Sequence, residues 1–208
     1  MIWIYILFFF TAFIVGFFQL PSFIIFIAAI LFIGAIFYLS FYPLFLEKDE
    51  KKIVAFLKKS KRPSMRFLYF LLMDEEEKAK EEINQIKHKE HKVVSQLLLL
   101  SKQKNYEEAK KLLPMLKETK YKWYYKAGIA LEEGDMQTYA ENKSLLKDSL
   151  LLSFLEIEQK RKSGEKEEAL KMLENKIASL RGLNLLTALQ YKKDTFSNKK
   201  SASVLEQL

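Results

Sequence analysis

His88 and His91, with Glu90 between them, are the only imidazoles in the 208-residue chain. Two histidines three residues apart share a helix face, and imidazole is the commonest side-chain ligand for a divalent cation. A zinc protease, however, needs them four apart around a glutamate, with a third ligand. The run His88-Lys89-Glu90-His91 lacks that spacing. It reads as a solvated helix end, and neither a metal nor another cofactor is expected. The adjacent acids Glu107-Glu108 and Glu132-Glu133 are of the type that does acid–base chemistry, yet nothing near them marks a water-excluded cleft, and they suit capping and solvated helix ends. There is no cysteine, which removes thiol catalysis, disulfides and cysteine-based metal sites. The six scattered glycines form neither a phosphate loop nor a Gly-x-Ser-x-Gly elbow. The chain is therefore not read as an enzyme, and its function has to lie in a surface.

The elements that would carry such a surface begin at residue 47, because positions 1–46 contain no Asp, Glu, Lys, Arg or His. One helix of that length would run about 70 Å, more than twice a bilayer's hydrocarbon core. Pro21, flanked by Gln19 and Ser22, breaks it. The expectation is a transmembrane hairpin of two spans, Ile2 to Phe18 and Phe23 to Tyr42. Lysines and arginines follow the second span and none lies in the turn, so positive-inside bias predicts a multi-pass plasma-membrane protein with both termini cytoplasmic. Ala12 and Gly16 form a small-residue face on the first span, suited to helix packing.

Residues 47–63 read as a basic juxtamembrane linker. Ile53, Phe56 and Leu57 lie on one face of a short amphipathic helix, with Lys51, Lys52, Lys58, Lys59, Lys61 and Arg62 around them as candidate contacts to anionic lipid headgroups. Overall the chain is basic, at a net charge of +8, and Lys and Arg together number 34, only four of them Arg. Guanidinium reading of phosphate or bases is thus poorly provided for, and lysines interleaved with glutamates, as in Lys166-Glu167-Glu168, fit solvated helix faces. Nucleic acid is not the expected partner.

From residue 64 to 192 the chain repeats. Asp74-Glu75-Glu76-Glu77, Asn105-Tyr106-Glu107-Glu108-Ala109, Asp135 through Tyr139 and Glu165 through Ala169 recur thirty residues apart. Asp74 with Glu77 has the form of a capping box. Each of these turns follows an apolar run: Phe67–Met73, Val93–Leu100, Trp123–Leu131 and Leu150–Ile157. The unit is helix, turn, helix, with Gly134 and Gly164 ending first helices, and units this short have to stack to bury their stripes. Pro114 falls inside a second helix and predicts a kink there. Leu183 to Lys192 is a final capping helix, and 193–208 is expected to be a disordered tail.

At Asn105-Tyr106-Glu107-Glu108-Ala109, Trp123 with Gly134-Asp135, and Gly164-Glu165 with Glu168-Ala169, the chain resembles the tetratricopeptide repeat (TPR) family over roughly residues 64 to 181. The spacing is 30 rather than the family's 34, Tyr139 stands where a small residue is usual, and the terminal prolines are absent. The resemblance implies an all-α, TPR-like solenoid of about four helix pairs whose first helices line a partner-binding groove. By the family's phase that groove holds His91, Val94, Leu98, Lys102, Tyr121, Tyr124, Gly128 and Glu132, with Trp123 in the core. The function read from all this is a membrane-anchored interaction scaffold or adaptor that binds a peptide or helix of a protein partner on the cytoplasmic face. The alternative is an accessory subunit of a membrane enzyme or transport complex docked through the hairpin. The composition looks bacterial.

Overall fold

The computed structural model describes residues 9, 10, 17 and 21–196, without the side chains at 22, 39 and 40. From residue 21 onward it is helical: α1 (Ser22–Phe45), α2 (Glu50–Lys59), α3 (Pro63–Leu72), α4 (Glu76–Gln85), α5 (Lys89–Lys102), α6 (Tyr106–Leu112), a 3-10 turn at Leu113–Met115, α7 (Lys120–Glu133), α8 (Met136–Leu145), α9 (Ser149–Lys162), α10 (Lys166–Ser179) and α11 (Gly182–Phe196). The pairs α3–α4, α5–α6, α7–α8 and α9–α10 form four successive units.

The thirty-residue period is written into the backbone. Asp74, Lys104, Gly134 and Gly164 all adopt a left-handed conformation, with φ of 56°, 58°, 80° and 92°. In each unit the next amide closes the first helix by donating to the carbonyl five residues back: Glu75 to Phe70, Asn105 to Leu100, Asp135 to Ala130, Glu165 to Lys160, at 2.9–3.0 Å. That residue is also the N-cap of the second helix. The Asn105 side chain accepts from the Glu108 amide at 3.3 Å, and Asp135 from Thr138 at 3.0 Å. The expected capping box at Asp74 is corrected: Asp74 is the left-handed residue, Glu75 takes the cap position without a side-chain bond, and the Asp74 carboxylate is drawn to Lys102.

One turn into each second helix, Ala79, Ala109, Tyr139 and Ala169 are buried where the paired helices cross. The cores between them are apolar, for example Val93, Leu97, Leu113, Leu116 and Ile129 between the second and third units. Pro114 does not kink a continuous helix: α6 stops at Leu112 and the proline sits in the 3-10 turn, where no amide is required of it.

The N-terminal hairpin is corrected. Among the described residues no helix is long and apolar enough to cross a membrane. The fold class with a transmembrane hairpin, and the multi-pass plasma-membrane placement with cytoplasmic termini, are left without a span to carry them. The first expected span, with Ala12 and Gly16, falls outside the described residues apart from 9, 10 and 17. The second lies within α1, whose last turns belong to the helical domain: Leu44 is buried with Ile53, Leu57, Leu185 and Leu186, and Phe41 packs beside them. Only these last turns of α1 join the core; Phe23, Phe26, Leu31, Ile33 and Phe37 are exposed.

The C-terminal end departs from expectation as well. The capping helix runs on to Phe196, so 193–196 are helical rather than tail, and 197–208 lie outside the described residues. α11 packs on α10 and also on α1 and α2, so the last helix meets the first two and the array closes on itself. The seam is tight at Gly182. Its φ is 56°, its amide donates to the Glu47 carbonyl at 2.7 Å, and a Cβ there would lie 2.0 Å from the Leu44 carbonyl oxygen.

Candidate functional site

The eight groove residues do not form one surface. His91, at the start of α5, is exposed; its amide donates to Nδ1 of His88, the helix N-cap, at 3.4 Å. Val94 and Leu98 are half-buried against the two flanking cores. Lys102 serves the scaffold: its ammonium donates to the Leu71 carbonyl at 2.5 Å and pairs with Asp74, closing the C-terminal end of α3. Tyr121 is exposed, with the Lys120 ammonium 5.5 Å from its ring centroid. Gly128 faces open space. Trp123 packs half-buried on the core between the third and fourth units.

Tyr124 and Glu132 belong to a half-buried polar cluster that joins α7, α9 and α11. At its centre the Glu158 carboxylate accepts from Arg161 Nε at 3.0 and 3.1 Å and from the Tyr191 hydroxyl. Glu132 lies 3.9 Å from Arg161 and 2.9 Å from Lys162, whose ammonium also donates to the Leu131 and Glu132 carbonyls. Burial alone would push the Glu158 carboxyl up, but hydrogen bonds from Arg161 and Tyr191 outweigh it and hold the group below the usual carboxylate range. Burial, helped by the charge of Glu158, pushes the Tyr124 phenol up to about 12. Burial followed by the charges of Glu132 and Glu158 does the same to Tyr106. The Glu158 carboxylate is held by two donor groups, the Arg161 guanidinium and the Tyr191 hydroxyl, so this cluster ties α9 to α11.

Glu158, Arg161, Tyr191 and Lys162 are members that the family phase does not select. The signal lies in the period itself. Lys102, Glu132, Lys162 and Lys192 stand thirty residues apart, as do Leu131, Arg161 and Tyr191. Reading down such columns places Glu132 against Lys162 before any coordinates exist.

The open concavity lies elsewhere, between α8 and α9. These helices touch less closely than the other helices joining successive units. At this joint Tyr139 fills the position held by Ala79, Ala109 and Ala169 elsewhere, and its hydroxyl donates to Gln159 Oε1 at 3.0 Å. Tyr139, Leu146 and Leu152 line a trough there. Met136, 47% exposed, stands where it continues toward the Gly134 turn, and the Lys143–Glu156 pair, 3.3 Å apart, forms part of its rim. No family model, curated protein or solved structure matches the chain.

Proposed function

We propose that the chain is a TPR-like helical-repeat module for protein interaction, and that the trough between α8 and α9 receives an amphipathic peptide or helix from a protein partner. One observation carries this reading: a position that is alanine in three units is tyrosine in the third, and at that joint Met136 is 47% exposed and Leu152 half-buried beside the buried Tyr139 and Leu146. Apolar anchors in such a floor supply binding energy, and a rim of both charge signs sets register and orientation. The inner faces of the first helices are a poorer receptor. Val94, Leu98 and Tyr124 are committed to the cores, and Lys102 and Glu132 to ion pairs. Catalysis is no part of this reading.

The test is a photo-crosslinking residue at Met136 in the full chain in its native cell, with a second at Lys80 on α4 as control. A discrete adduct at Met136 that is missing at Lys80 is the expected result, and mass spectrometry of the adduct names the partner. Diffuse, equal labelling at the two positions would overturn the reading.

A further inference from the structure

We propose that the exposed face of α2 docks on an anionic lipid surface, as a cationic patch that lies against the headgroups while the apolar side of the helix stays in the protein core. The two sides of α2 are cleanly divided. Ile53 and Leu57 are fully buried, in the same cluster as Leu44, Leu185 and Leu186. Lys51, Lys52, Ala55, Lys58 and Lys59 make up the opposite, exposed face, and Glu50 in the first turn is the one exposed acid of the helix. Because the seam holds the apolar side, α2 has no face free to sink between acyl chains, and the amphipathic helix of the sequence reading becomes a purely electrostatic surface.

Of the three acids near this patch, Glu47 and Asp49 are engaged by backbone amides, and Glu50 stands at the N-terminal end of the helix. Asp49 caps α2 by accepting from the Lys51 amide at 2.9 Å, and Glu47 accepts from the amides of Lys48 and Asp49. Lys52 reaches Glu47 only at 3.8 Å with 68% of its side chain exposed, and among the described residues Lys51, Lys58, Lys59 and Lys61 pair with no carboxylate. Lys78, Lys80, Lys110 and Lys111 on the repeats, by contrast, each pair with a glutamate three residues earlier. A lipid surface is favoured over nucleic acid by two further features. Six of the seven cations between Lys48 and Arg62 are lysine, which meets phosphate as a point charge and reads no base edges. At the foot of α1, beside the patch, Phe45 and Tyr38 are 63% and 53% exposed, and the guanidinium of Arg62 lies 4.9 Å from the Phe41 ring centroid, so aromatic and cationic groups meet there as they do at a headgroup boundary.

The experiment floats the purified full-length chain with vesicles of phosphatidylcholine alone and of phosphatidylcholine mixed with phosphatidylglycerol. Flotation with the mixed vesicles only, weakening as salt rises, is expected. Each lysine contributes about fivefold, so K51Q/K52Q/K58Q/K59Q lowers the partition coefficient by several hundredfold. Arginine at the same four positions keeps the charge and retains binding, and K78Q/K80Q/K110Q/K111Q, which removes the same charge elsewhere, leaves it intact. Equal flotation with neutral vesicles would overturn the proposal. So would equal loss in the two glutamine variants, or a duplex DNA that takes the chain off mixed vesicles while leaving K51Q/K52Q/K58Q/K59Q on them.

Discussion

The four repeat turns and the α11 seam solve the same problem, a chain reversal through a left-handed residue, in opposite ways. At 74, 104, 134 and 164 the left-handed residue is Asp, Lys, Gly and Gly: a Cβ at either of these glycines would meet open space, so a side chain there costs only the left-handed conformation. At 182 the backbone of another segment stands where a Cβ would be, so glycine is required twice over, by conformation and by proximity. Local turns tolerate substitution because only their own hydrogen bonds hold them. The seam is intolerant because two distant segments share one space.

The sharpest way to break this comparison is Gly182→Ala. It should destabilise the chain by more than about 3 kcal/mol, since neither the Leu44 backbone nor the left-handed φ can relax cheaply, and urea unfolding followed by circular dichroism reads the shift. A change below about 1 kcal/mol would mean that α11 rides loosely on the rest. Next come Ile53→Ala at the seam and Leu97→Ala in the repeats, both fully buried, each expected to cost about 2–5 kcal/mol in one cooperative transition. Two separated transitions in the Ile53 variant would show the ends closing as an independent unit.

A smaller effect is expected at the turns. Gly134→Ala should lose about 1 kcal/mol and Lys104→Gly should gain somewhat less, because the second change relieves the left-handed penalty but frees the unfolded chain. A separate test is a pH dependence of the polar cluster. Tyr106 and Tyr124 titrate near 12 in the folded state against 10.0 for the free phenol. Their contribution is therefore complete below pH 10 and is lost as pH rises toward 12 and beyond, where the unfolded chain releases the protons first. Phenylalanine at both positions should flatten thermal stability measured across that window.

Periodic features were legible in the sequence because a repeat states the same constraint several times. The helix–turn–helix units, the glycine turns at 134 and 164 and the final helix from Leu183 all stand where the pattern puts them. Aperiodic features were not. Asp74 carries two local signals, cap and left-handed turn, and only the ion pair with Lys102, from the neighbouring unit, decides between them. Within the apolar run before residue 47, nothing in the composition marks Phe41 and Leu44 as the positions that pack with Leu185 and Leu186 while Phe23, Phe26 and Leu31 stay exposed. The groove residues were chosen by the phase of a family whose repeat is longer than thirty, and that phase does not show that Glu132 meets Arg161 and Lys162 of the next unit. Tyr139 was visible as an exception, but its bond to Gln159 depends on what the neighbouring helix places opposite it.

Closure of the array also changes how the chain carries force. An open stack of helix pairs pulled from one end sheds units in turn, like a zip, each at modest load. Here tension on α1 passes at Leu44 and Glu47 directly into α11, the last helix. First and last helices are thereby loaded together, in shear along a packed apolar face, and the four units between them are bypassed until that face gives way.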